Sequence, residues 1–167
     1  MRDKRFIAVH RGGSLNKGDH KKLIRWAIQC SEHVLSLIDG EIDTRLLYAL
    51  QVAKEWELKN TTTGEAMKAS LGAHAAAREY SNPVSVAVSR SVGQTVATAH
   101  MADHSIGGAL YALKAIRLAG KSTEEEFVWQ KAKLEQLPAE IVEHVLTTLA
   151  EKAKGFGIFD KNFQKNK

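Results

Sequence analysis

The sequence predicts an all-α fold of about six helices in one compact bundle, and three observations carry that expectation. Apolar residues recur at helical spacing through most of the chain. There are only two prolines, and each stands where a helix can begin. The stretch Val92 to Ile116 is long, uninterrupted and rich in small residues. On a helical wheel its Gly93, Ala97, His100, His104, Gly107 and Tyr111 fall on one stripe. A stripe of that kind admits a second helix closely and sets two imidazoles where packing is tight.

The elements follow in order. Phe6 to Val9 is a short apolar stretch that reads as extended, ended by Gly12-Gly13 and a turn over 16–19, so residues 1–18 form an N-terminal extended and turn segment. A first helix is expected over 19–38 with Asp19 as N-cap, burying Leu23, Ala27, Cys30, Val34 and Leu37. Asp43 caps a second helix over 44–58, with Leu46, Leu47, Leu50 and Ala53 inward. A third spans 64–80. Asn82-Pro83 separates it from a fourth, because the residue before proline avoids the helical region. That fourth helix is expected to run from Pro83 to Ala119 as a long central element, with Gly107-Gly108 as the place where it can bend. Ser122 or Thr123 caps a fifth helix, whose Glu124 to Glu126 suit the positive end of the helix dipole. Pro138 opens a sixth that ends near Lys154, leaving residues 155–167 as a basic tail. No strict internal repeat is present, and the whole of 1–167 reads as a single helical domain.

Net charge is +5, concentrated at the ends. The first 25 residues hold eight Lys and Arg against two acids, and residues 151–167 hold five Lys against two acids. Solvated basic ends are the plainer reading. A lone Arg11-Gly12-Gly13 without interleaved aromatics does not make an RNA-binding segment, so nucleic acid is not the expected partner. No apolar run reaches membrane-spanning length, and the N-terminal residues show no secretory signal. A single cysteine forms no internal disulfide. These features place the chain in the cytoplasm, away from the membrane.

The candidate site is a polar cluster of His74, Arg78, His100, Asp103 and His104. His100 and His104 are four apart, the spacing that sets two metal ligands on one helix side, and His74 can add a third. However, HMADH lacks the glutamate of a zincin motif, so no metal is favoured over histidines hydrogen-bonded between helices, with Asp103 capping or pairing nearby. Arg78 and Arg90 can join the histidines as an anion or peptide site, or pair between helices. Cys30 has His33 three residues on, but it shares the apolar stripe of Leu23, Ala27 and Val34 and reads as inert core. No phosphate-binding glycine loop, nucleophile elbow or paired-carboxylate motif occurs, so neither a cofactor nor a catalytic residue is assigned.

The segments RGGSLNKGDHKKLIRWAIQCSEHVL, AHAAARE, VGQTVATAHMADHSIGGALYALKA and LPAEI, in that order, resemble the immunity proteins of bacterial polymorphic toxin systems, in their five-like group. The resemblance covers nearly the whole chain. The matching positions are Arg11, Asp19, His20, Trp26, Cys30, Glu32, His33, His74, Arg78, His100, Asp103 and His104. It implies an all-helical cytoplasmic protein that neutralises a cognate protein toxin by binding and occlusion, without catalysis. The competing expectation is a small-ligand or metal-binding protein, or an enzyme, built on the histidine cluster. The positive net charge suits a basic nuclease toxin poorly, so the toxin is expected to be of another type. A basic toxin would instead need a local acidic patch such as Glu124 to Glu126.

Overall fold

A computed structural model describes residues 2–158, and among them the chain forms seven α-helices with three short 3-10 turns and no strand. The helices are α1 (Lys17–Val34), α2 (Thr44–Glu57), α3 (Thr63–Glu79), α4 (Pro83–Ala97), α5 (His104–Leu118), α6 (Thr123–Leu134) and α7 (Ala139–Phe156). Helix α4 is central, packing against α1, α2, α3 and α5. Helix α6 lies on α5 and α1, and α7 on α5. No helix among the described residues is long and apolar enough to cross a membrane.

Capping chemistry sets most of the boundaries. Asp43 Oδ1 accepts from Arg45 N, Thr62 Oγ1 from Glu65 N, Asn82 Oδ1 from Val84 N and Ser122 Oγ from Glu125 N, each satisfying a first-turn N–H that has no helical partner. At α1 the cap is Asn16, not Asp19. Asn16 Oδ1 accepts from Asp19 N and its Nδ2 donates to the Asp19 carboxylate, so the helix begins two residues earlier than expected. Its far end tightens into a 3-10 turn over Leu35–Leu37. The stretch from Phe6 to Val9 is not a strand. Only Ile7 and Ala8 are extended, between two 3-10 turns, and Ala8 makes one isolated bridge to Leu15. Residues 155 and 156 close α7, and Ile158 is buried; the remainder of the expected basic tail, 159–167, lies outside the described residues.

The largest departure is at the expected long helix. The chain leaves the helix after Ala97 and resumes at His104, so one long element becomes two antiparallel partners and the count rises from six to seven. The reason is tertiary. Thr98 O, which a continuing helix would give to residue 102, accepts from His20 Nε2 at 2.6 Å. His100 O, next due to residue 104, accepts from Arg11 Nη1 at 3.4 Å. Short-range bonds take over through the turn, among them Thr98 N to Thr95 O and His104 N to Met101 O. Gly107-Gly108 does not bend anything. A Cβ on Gly108 would lie 2.6 Å from Thr95 Oγ1, so this glycine is where α5 closes on α4.

Buried hydroxyls join α1, α4 and α5 at that contact. Ser31 Oγ lies 2.8 Å from Ser91 Oγ and 2.7 Å from Thr95 Oγ1. Ser91 donates to Gly108 O and Thr95 to Ala27 O. With Ser91 and Thr95 donating to carbonyls, the single Ser31 hydrogen goes to one of these two hydroxyl oxygens, in a place where an unpaired polar group is costly. Trp26, fully buried, donates Nε1 to Gln130 O, and Gln130 Nε2 donates to Ala109 O, pinning α6 across α1 and α5. The apolar core around these bonds is continuous from Phe6 to Ile158.

Candidate functional site

The break between α4 and α5 divides the five candidate residues. His100 falls in the turn and His104 opens α5, so the two do not share a helical stripe. His74 and His104 belong to a half-buried polar row that crosses α3, α4 and α5. His100 turns to a cavity at the other side of the break.

In the row, His74 lies over Gly93 of α4, whose absent side chain makes the room: a Cβ there would sit 2.7 Å from the imidazole. His74 Nδ1 accepts from Arg90 Nη1 at 2.8 Å. A guanidinium only donates, so His74 is neutral with its proton on Nε2. Desolvation first, then the charges of Arg90, Arg78 and His104, hold its pKa below the usual histidine value. His104 has the opposite tautomer. Its Nδ1–H donates to Gln94 Oε1 at 2.8 Å, which leaves Nε2 with the lone pair. Its pKa is also lowered, chiefly by burial, against the attraction of Asp103. Arg78 is exposed at the end of α3, and among the described residues neither it nor Arg90 is paired with a carboxylate. Asp103 precedes α5 without capping it, and its Oδ1 is buried without a hydrogen-bond partner. Among the described residues, no three His, Cys, Asp or Glu side chains converge as metal ligands would.

The cavity encloses about 330 Å³ between the N-terminal segment, the starts of α1 and α3, and the end of α2. His10, Arg11, Lys17, Lys21, Lys59 and His100 line it, with Trp56, Ala8 and Ala99 as apolar wall and His20 at its inner side. His20 is 8% exposed and lies against Trp56, with ring centroids 4.9 Å apart. Sequence reasoning flagged Arg11, His20 and His100 only one by one. Their convergence with Lys17, Lys21 and Lys59 needs the loops on both sides of α2, which periodicity does not place.

Two other expectations resolve here. Cys30 is wholly buried, and burial, with the nearby Glu126 charge, pushes its thiol well above the ordinary range. The acidic patch of Glu124 to Glu126 loses its third member, because Glu126 is buried and accepts from His33 Nδ1 at 2.7 Å. His33 in turn stacks flat on Trp129 at 3.6 Å between centroids.

No curated protein and no solved structure matches the chain. The sequence model of the family described as "Imm-5 like putative immunity protein" matches residues 13–137. That stretch takes in all of α1 to α6, with the polar row and most of the cavity wall. With the match covering well over half of its length, the chain belongs to the Imm-5 like immunity protein family.

Proposed function

We propose that this chain binds a cognate protein toxin and neutralises it by occlusion, inside the cytoplasm of the cell that makes it. The observation that carries the reading is the family match over 13–137. The geometry supports binding over turnover. The thiol of Cys30 is sealed in the core and offers no accessible nucleophile. The contact surface we assign is the row of Arg78, His74, Arg90 and His104, in which the two arginines carry the charge. Its guanidinium charges have no carboxylate partner within the described residues, so an acidic toxin face completes them. With Glu126 buried, the alternative acidic contact surface is reduced to Glu124 and Glu125.

The test is coexpression with the toxin encoded beside this chain. Growth should be rescued, and the two proteins should copurify as a stable complex. Arg78→Glu reverses an exposed charge and should slow association about tenfold at low salt while leaving the fold intact. Failure of rescue and of copurification together would defeat the reading. An unchanged association rate in R78E would move the interface elsewhere.

A further inference from the structure

The cavity beside the α4–α5 break carries more positive charge than its structural duties use. Arg11 reaches His100 O at 3.4 Å and Met101 Sδ at 3.8 Å. Lys17, Lys21 and Lys59 make no ion pair within the described residues, and no aspartate or glutamate lines the space. Four permanently charged side chains, three of them exposed, are therefore gathered around a concave, carboxylate-free wall that favours an anion. Two long helices, α1 and α3, begin at that wall with Lys17 and Thr63, adding the positive ends of their dipoles.

A buried histidine adds a neutral polar group to the same wall. His20 is 8% exposed and donates Nε2–H to Thr98 O at 2.6 Å. Its Nδ1 then carries the lone pair and makes no hydrogen bond within the described residues, so at the cavity wall it can accept from a ligand hydroxyl or amino group but does not hold the phosphate. Burial first, and the charges of His10 and Arg11 after it, lower the pKa of this imidazole. Lys59 reaches the cavity from the end of α2. It has φ +62° as the left-handed residue that closes that helix, with Asn60 N bonded back to Glu55 O.

We propose that this cavity is a binding site for a small phosphate-bearing ligand with a flat ring, of mononucleotide size. The phosphate meets Arg11, Lys17, Lys21 and Lys59, and the ring lies against Trp56 and the alanine wall. The volume of about 330 Å³ is that of a small-molecule site. An acidic peptide from a partner would need a longer open groove. The proposal stands apart from the toxin reading, since the assigned toxin contacts lie on the α3–α4–α5 row.

The experiment titrates the full-length protein with AMP, ribose 5-phosphate, inorganic phosphate and adenosine at low salt. The readouts are calorimetry and the indole N–H signals of the three tryptophans in NMR. AMP should move the Trp56 signal, bind more tightly than ribose 5-phosphate or inorganic phosphate, and weaken as salt is raised; adenosine should not compete. Lys59→Gly removes one charge and relieves the left-handed strain, so lost binding in it cannot be assigned to unfolding. Combined with Lys21→Ala, it should weaken AMP at least about tenfold. No Trp56 response to millimolar AMP, or AMP affinity unchanged in K21A/K59G, would overturn the proposal. Equal affinity for ribose 5-phosphate and AMP would overturn its aromatic half.

Discussion

Single residues here are decided by what surrounds them. Cys30 was recognisable as core because it shares a helical face with Leu23, Ala27 and Val34, and its complete burial agrees. Cys30→Ala should cost about 1 kcal/mol of stability and leave toxin neutralisation intact, measured by denaturant unfolding beside growth rescue. Loss of rescue at unchanged stability would make the thiol a functional group. The histidines give a second expectation. His20, His74, His104 and His144 all have pKa values lowered in the fold, burial being the first cause in each. Below the unfolded value near 6.5 the unfolded chain takes up protons that the folded chain refuses, so stability rises with pH in that window. Tm should therefore drop steadily as pH falls from about 7 toward 5, and His20→Gln should flatten that slope. A Tm independent of pH over this range would mean the rings are not held neutral.

Element by element, local rules located most boundaries and one long-range effect defeated them. Asp43, Asn82-Pro83 and Ser122 mark helix starts in the sequence because capping and proline geometry act within a few residues. The break at 98–103 was not readable in that way. Its sequence is helix-compatible, and what stops the helix is the capture of Thr98 O and His100 O by His20 and Arg11, which lie about eighty to ninety positions earlier in the chain. The same effect separated His100 from His104 and so divided the candidate cluster. Gly93, read as part of a packing stripe, does pack, but against His74 from α3; Gly108 packs against Thr95 within the hydroxyl network. The two glycines predict different outcomes. Gly108→Ala forces a methyl onto Thr95 Oγ1 in a fully buried contact and should destabilise by about 1–3 kcal/mol. Gly93→Ala meets the end of the half-buried His74 ring, which can swing outward; it should cost less and should break the His74–Arg90 bond. Thermal melts of both variants, with the His74 titration followed by NMR, check this. Equal destabilisation would place α3 as tightly as α5.

At the scale of the molecule, an all-helical bundle was legible because helical periodicity, two prolines and the caps at Asp43 and Ser122 agree. The sites were less legible, since the basic cavity joins the N-terminal segment, α1, α2, α3 and the α4–α5 turn, and nothing local announces a convergence of five segments. On the proposed reading, the surface that meets the toxin is helix-borne and carries Arg78 and Arg90, which have no carboxylate partner among the described residues, on a chain of positive net charge. Association with the toxin should therefore slow as salt is raised through the physiological range. The most direct test is to titrate the purified toxin's activity with purified chain. Occlusion predicts a linear loss of activity that ends at one equivalent, with full activity returning once the complex is dissociated and the toxin recovered chemically unaltered. Inactivation by substoichiometric amounts, or recovery of a covalently modified toxin, would contradict occlusion and make the chain an enzyme.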